Sequence, residues 1–147
     1  MSARRLAVAL TLPALALVLW RIVPATLTAT GGARADAPAP YTSRVNPRVT
    51  DPRAIAAGAE LFRENCASCH GEGADGQGAA ARGLTPPPAD LRGSRVISEH
   101  TDAYLFYRVS EGKPGTAMPA FRGALDEQER WALVSYLRSL PAQHAAR

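Results

Sequence analysis

The two cysteines of this 147-residue chain constrain its fold more than any other feature. Cys66 and Cys69 are separated by two residues, and His70 follows directly. A disulfide between residues so close together would close only a very small loop, and the stabilisation by a disulfide grows with the loop that it closes. The spacing therefore predicts that the two thiols and the imidazole serve one common site.

Three kinds of chemistry use such a pair. The C-x-x-C-H spacing is that of c-type haem attachment, in which each thiol forms a thioether with a haem vinyl group and the histidine ligates the iron. A redox-active dithiol normally follows a βαβ pattern, which this sequence lacks. A structural zinc site needs four ligands, and His100 and His144 are the only other histidines. The sequence predicts one covalent haem c with its iron, and zinc or thiol chemistry are the alternatives.

Met118 is the candidate for the second axial position of the haem iron. Apart from Met1 it is the only methionine, and it lies in a loop marked by turn-forming residues: Gly112, Pro114, Gly115, Pro119 and Gly123. A thioether is a soft ligand, and ligation by one histidine and one methionine raises the reduction potential. Because Met118 would also close the open iron position, the pair His70 and Met118 predicts electron transfer rather than catalysis.

The first 35 residues have the pattern of an export segment. Arg4 and Arg5 precede a largely apolar stretch over residues 6–30, in which Arg21 is the single charged residue. Small residues flank Arg34, as at a signal-peptidase site. The stretch is also long enough to span a bilayer. We expect residues 1–35 to be a cleaved signal peptide or an uncleaved membrane anchor. Either places the rest in the periplasm, soluble or tethered to the outer face of the cytoplasmic membrane.

The net charge of +4 belongs entirely to this segment, because its four arginines are balanced by no acidic residue. The remainder of the chain is formally neutral and has no basic run interleaved with aromatic residues, which excludes a nucleic-acid partner. Residues 36–50 are rich in proline and alanine and show no apolar periodicity, which predicts an extended linker. We assign residues 51–141 to one domain and residues 142–147 to a C-terminal tail.

Helical signals account for the regular structure of the domain. Asp51 and Pro52 begin a first helix that reaches Cys66, a second runs from about Thr101 to Gly112, and a last one runs between Asp126 and Pro141. No strand pattern of convincing length appears, so the class is all-α. The intervening loops are long, as in domains that wrap a cofactor. A large apolar group would bury the unpartnered loop residues Leu84, Leu91, Val96, Ile97 and Phe121.

With these motifs in this order, residues 51–141 resemble the class I c-type cytochromes. The resemblance rests on Gly58-x-x-x-Phe62-x-x-x-Cys66, on Cys66-Ala67-Ser68-Cys69-His70, on a proline-bearing loop, on Met118-Pro119, and on Leu133-x-x-Tyr136. It implies a cytochrome c-like fold, in which three or four helices and long loops surround one covalent haem.

The same resemblance implies two details of packing. Gly58 and Phe62 of the first helix would contact Leu133 and Tyr136 of the last. A proline carbonyl in the loop Pro86-Pro87-Pro88 would accept a hydrogen bond from Nδ1 of His70. The lysine ring that many soluble carriers use for docking is missing, so an acidic partner is not implied.

The sequence thus predicts an electron carrier rather than an enzyme. It would pass single electrons between periplasmic or membrane redox partners, as bacterial respiratory-chain members of the family do. One alternative is a cytochrome c subunit of a larger dehydrogenase or oxidase complex. Another is a haem enzyme or ligand sensor in which Met118 dissociates from the iron.

Overall fold

A computed structural model describes residues 37–92 and 95–140. The expected export segment at residues 1–35 and the expected tail at residues 142–147 lie outside this range. The described residues form five α-helices and no strand, which confirms the all-α class: α1 (Pro52–Asn65), α2 (Ala67–His70), α3 (Arg95–Ser98), α4 (Asp102–Glu111) and α5 (Glu127–Ser139), with a 3₁₀ turn at Ala79–Ala81. None of these helices is both long and apolar enough to cross a membrane.

The three longer helices begin at the residues that the sequence indicated. The Asp51 carboxylate accepts a hydrogen bond from the Arg53 amide at 2.9 Å, and Pro52 is the first residue of α1. At the start of α5, Asp126 and Glu129 exchange side-chain to backbone hydrogen bonds of 2.8 and 2.7 Å, a capping box. Each cap satisfies amide donors that have no partner inside the helix, and each contributes about 1 kcal/mol.

A close crossing of α1 and α5 forms the centre of the fold. A Cβ atom at Gly58 would lie 2.1 Å from the carbonyl oxygen of Ala132 and 2.8 Å from Cβ of Tyr136, so only glycine fits there. The Phe62 and Tyr136 rings lie 5.3 Å apart, and Leu133 is buried in the same core. The expected contacts of Gly58 and Phe62 with Tyr136 are confirmed. They explain a glycine that costs the helix about 1 kcal/mol relative to alanine.

The prediction of an extended linker before the domain is wrong for the residues that the structure describes. Residues 37–50, here called the N-terminal strap, form turns and pack against α4 and α5. The Tyr41 ring lies 6.0 Å from that of Phe106 and 5.2 Å from that of Tyr107. The prolines restrict the backbone of the strap but do not prevent burial of the side chains between them.

A second anchor of the strap is buried and polar. The Asn46 side-chain amide donates to Oγ of Ser135 at 3.1 Å, and both residues are buried. The Ser135 hydroxyl also lies 2.9 Å from the carbonyl oxygen of Arg48, so this serine of α5 holds the strap at two points. Buried polar groups are costly unless they are paired, and here each finds its partner on the other segment.

Asn46→Ala is therefore expected to lower the free energy of unfolding by about 1–2 kcal/mol, because it leaves the Ser135 hydroxyl without its donor. Chemical denaturation of the purified protein measures the loss. Val45→Ala is the matched control, since the Val45 side chain is 79% exposed and its removal should change stability by less than about 0.5 kcal/mol. Equal unfolding curves for the two variants would contradict a structural role for the strap.

Candidate functional site

The four predicted site residues line one cavity of about 260 Å³. Cys66, Cys69 and His70 reach it from the region where α1 meets α2, and Met118 reaches it from the loop between α4 and α5. The rest of the wall is mostly apolar and includes all five residues that were expected to surround a cofactor: Leu84, Leu91, Val96, Ile97 and Phe121. Two of them, Val96 and Ile97, lie in α3 and not in a loop as expected. Sequence positions more than fifty residues apart thus contribute to one site.

A break between two helices sets the positions of the cysteines. Cys66 ends α1, its amide donating to the Phe62 carbonyl at 2.8 Å, and its own carbonyl accepts from the His70 amide at 2.8 Å across the single turn of α2. Gly71, at φ 78°, then ends that turn in a conformation that favours glycine. Both cysteines are partly buried and are not joined in a disulfide.

The thiol of Cys66 has little thiolate character. Burial, and to a lesser extent the neighbouring Cys69, raises the pKa of the Cys66 thiol to about 11. Thiol–disulfide exchange requires the thiolate, and catalytic cysteines have a lowered pKa. The environment of Cys66 therefore disfavours this cysteine as the nucleophile of a redox-active dithiol.

The orientation of the His70 ring is fixed by a backbone carbonyl. Nδ1 of His70 lies 3.0 Å from the carbonyl oxygen of Ala89. Since a carbonyl can only accept, Nδ1 carries the proton, and Nε2 is left with the lone pair that can bind a metal. Such a hydrogen bond also increases the basicity of a ligating imidazole.

The expectation that a proline of Pro86-Pro87-Pro88 provides this carbonyl is wrong by one residue. Gly76, at φ 78°, lies against the end of the proline run, and a Cβ atom there would be 2.6 Å from the Pro88 oxygen. The amide of Leu91 donates to the Ala74 carbonyl at 2.8 Å and fixes the chain on the other side. The same Cβ atom would be 3.3 Å from the Ala89 oxygen, so both carbonyls lie close to Gly76, and the Ala89 oxygen is the one within hydrogen-bond distance of His70.

The loop that carries Met118 is closely folded. The Met118 carbonyl accepts from the Lys113 amide at 3.2 Å, and its amide lies 3.2 Å from Oγ1 of Thr116. Gly112, at φ 68°, allows the approach, because a Cβ atom there would lie 2.5 Å from the Met118 oxygen. The turn-forming residues of the sequence thus bring a half-buried methionine to the cavity wall.

Sequence reasoning missed a polar group on the same wall. His100, Tyr104 and Arg108 line the cavity, the His100 and Tyr104 rings lie 4.0 Å apart, and Nε of Arg108 donates to the Tyr104 hydroxyl at 3.0 Å. Tyr104 and Arg108 are four residues apart in α4, and this spacing, which places two side chains on one helix face, was the available signal for that pair. No acidic side chain of the described residues lines the cavity, and Nδ1 of His100 is buried with no hydrogen-bond partner there.

The residues present fit a haem. Two thiols match its two vinyl groups, an imidazole and a thioether match the axial positions of its iron, and apolar walls match the macrocycle. The basic side chains on the wall, Arg108 and Lys113, suit its two propionate groups, and no described carboxylate opposes them.

Comparison with known proteins agrees with this chemistry. A family model described as cytochrome c oxidase, cbb3-type, subunit III matches residues 53–137. The cbb3-type cytochrome c oxidase subunit CcoP of Azospirillum brasilense is 33% identical over 102 residues, covering 69% of this chain and 34% of that protein. Subunit FixP of Bradyrhizobium diazoefficiens is 38% identical over 86 residues, covering 58% of this chain and 27% of that protein. The chain spans about a third or less of the length of these relatives.

Solved structures give the same fold. A chain of the reducing HAO-like protein complex of Kuenenia stuttgartiensis aligns with a TM-score of 0.55 at 28% identity, covering 66% of this chain and 47% of that one. Cytochrome cL of Methylophaga aminisulfidivorans aligns with a TM-score of 0.50 at 26% identity, covering 63% of this chain and 57% of that one.

The family match covers residues 53–137, and it favours haem over the zinc and thiol alternatives as the cofactor chemistry of the chain. The chain belongs to the family of c-type cytochrome domains described as cbb3-type cytochrome c oxidase subunit III, and its cofactor is covalently bound haem c with its iron.

Proposed function

We propose that the protein is an electron carrier that accepts one electron from a donor and passes it to an acceptor. Cys66 and Cys69 attach the haem, and His70 and Met118 ligate its iron. The observation that carries this proposal is that these four side chains line the same largely apolar cavity.

The haem supplies a one-electron redox couple, and the residues of the chain set its conditions. Cys66 and Cys69 hold the group permanently, which suits a carrier outside the cytoplasm. The Ala89 carbonyl holds the His70 ring in one orientation, so this ligand would have little to reorganise when the haem gains or loses an electron. Met118 would be the second protein ligand of the iron, which would leave no position for activation of a small ligand and argues against an enzyme.

The cellular setting belongs to the same proposal. An export segment or anchor at residues 1–35 would place the haem domain in the periplasm, with membrane attachment through residues 6–30 if the segment is retained. The relatives named as oxidase subunits support a place in a respiratory chain, and they favour a second candidate, a cytochrome c subunit of a larger oxidase complex. Co-purification of the full-length protein with a membrane oxidase would distinguish this subunit from a free carrier.

Intact-mass measurement tests haem attachment directly. Protein exported by cells with a working haem-attachment system is expected to carry the mass of one haem, and its polypeptide mass should locate the mature N-terminus. Replacing both cysteines, with Cys66→Ala and Cys69→Ala together, should remove the covalent haem because no other thiol exists in the chain. A polypeptide mass without haem in properly exported wild-type protein would refute the proposal.

Met118→Ala should leave the haem bound but lower the reduction potential, on the order of 0.1 V, because the loss of the thioether destabilises the ferrous state. It should also open the iron to cyanide and carbon monoxide. Potentiometry and ligand titration measure both effects. Ala120→Ser, at an exposed position of the same loop, is the control. If wild type already binds these ligands as readily as the variant, the ligand-sensor alternative is favoured over the carrier.

Gly76→Ala should disturb His70 through the Ala89 carbonyl, because the added Cβ atom would meet the Pro88 oxygen. A weaker hydrogen bond makes the imidazole a poorer electron donor, so the reduction potential should rise by an amount on the order of tens of millivolts. The free energy of unfolding should fall by about 1–3 kcal/mol, because the added atom is overpacked. Gly73→Ala in the same loop is the matched control, since nothing lies within 4 Å of its added Cβ atom. A potential unchanged from that control would remove this hydrogen bond from the tuning of the iron.

A further inference from the structure

The loop that carries Met118 returns to the helix from which it departs. It leaves α4 at Gly112 and comes back where the Phe121 amide donates to the Val109 carbonyl at 3.1 Å. The Arg122 amide donates to the Ser110 carbonyl at 3.2 Å. The last turn of α4 therefore holds both ends of the loop, and Met118 lies between them.

Glu111, the last residue of α4, adds a side-chain contact at this closure. Nη1 of Arg122 lies 2.8 Å from Oε1 and 2.7 Å from Oε2 of Glu111. The Tyr41 hydroxyl of the N-terminal strap donates a hydrogen bond to the same Oε1. One carboxylate thus joins the strap, the end of α4 and the return of the Met118 loop.

The environment of Glu111 keeps it charged. The hydrogen bond from Tyr41 and the guanidinium of Arg122 hold the pKa of the Glu111 carboxyl below its usual value, so it is ionised at neutral pH. Its side chain is 23% exposed, whereas that of Arg122 is 64% exposed. Solvent therefore screens the pair in part, but the two contacts to Arg122 and the third from Tyr41 restrict the carboxylate in orientation.

A thioether is a weak, neutral ligand, so its hold on an iron depends on how well the protein fixes it in place. If the loop is free to move, ligation must also order the loop, and that entropy cost weakens the bond. The backbone contacts of Met118 with Lys113 and Gly112 transmit the position of the loop base to the methionine.

We propose that Glu111 is a positioning residue that, held by Tyr41 and paired with Arg122, keeps Met118 on the haem iron. This inference rests on the proposed function, because it requires Met118 to be the axial ligand. It also gives the N-terminal strap a role in the redox site, since the strap supplies Tyr41 from outside the family-matched residues 53–137.

The test compares competition for the iron in the haem-loaded protein. Ferric wild type and the variants Glu111→Gln, Arg122→Gln and Tyr41→Phe are titrated with imidazole, and the thioether-to-iron charge-transfer band reports the loss of Met118. Glu111→Gln is expected to bind imidazole about fivefold more tightly than wild type, because a looser loop yields the axial position more readily. Arg122→Gln and Tyr41→Phe should shift binding in the same direction by about threefold, since each removes one of the two partners.

Glu127→Gln is the matched control. Glu127 pairs with Arg44 of the same strap at 2.6 Å, but it lies at the start of α5, beyond the Met118 loop. Glu127→Gln should lower the free energy of unfolding in chemical denaturation about as much as Glu111→Gln does. It should leave imidazole binding unchanged. In a Glu111→Ala background, which removes the acceptor of its hydrogen bond, Tyr41→Phe should have no further effect on imidazole binding, because Tyr41 acts through the side chain of Glu111.

The outcomes separate the two proposals. If Glu111→Gln binds imidazole as wild type does, while Met118→Ala binds it far more tightly, the positioning role is refuted and Met118 remains the ligand. If Glu127→Gln tightens imidazole binding as much as Glu111→Gln, a general loss of stability explains the effect and the positioning role is again refuted. If wild type lacks the thioether band and Met118→Ala changes nothing, the axial assignment itself fails and this inference fails with it.

Discussion

The close approach of α1 to α5 at Gly58 decides where the redox site can form. Because the Ala132 carbonyl lies against the backbone of α1 at this point, the distance between the two helix axes is fixed by the absence of a side chain at Gly58. Two turns further along, α1 ends at Cys66, and the same helix pair brings Phe62, Leu133 and Leu137 to the cavity wall. A side chain at position 58 would push α1 away from α5, and it would also move Cys66 away from the part of the cavity wall that α5 provides.

Backbone hydrogen bonds and close contacts at glycine help to hold the loops that complete the cavity. The proline-bearing loop is held where Leu91 bonds to Ala74, and the Met118 loop is held at Gly112. A domain of this size has little apolar surface to bury between its own helices, so a large apolar cofactor bonded to the chain becomes part of its core. Covalent attachment thus serves stability as well as retention of the haem.

The parts of this structure that sequence predicted depend on short-range chemistry. The helix caps at Asp51 and Asp126, the spacing of Cys66 and Cys69, and a methionine among turn-forming residues are each set by neighbours within a few positions. The Ala89 carbonyl was missed because the direction of a carbonyl follows from backbone angles, which the side chains of a proline run do not fix residue by residue.

The N-terminal strap was missed for a different reason. Its anchors, Tyr41 and Asn46, find their partners 70 and 89 residues away, and no local pattern distinguishes them from residues of an extended linker. Composition indicated an extended linker, whereas these residues form turns that pack on the domain. It could not show which two side chains of the strap would be drawn into the domain.

The supports of the two proposed axial ligands differ in kind, and this difference bears on how such a site can be tuned. His70 is oriented by a carbonyl of the main chain, which side-chain substitution at Ala89 would leave in place. Met118 is held through a loop whose closure includes the Glu111–Arg122 ion pair and a hydrogen bond from Tyr41, all of them side-chain contacts. Single substitutions can therefore alter the methionine side without changing the histidine side. In this chain the half of the iron site that side-chain contacts support is the one to which the N-terminal strap contributes.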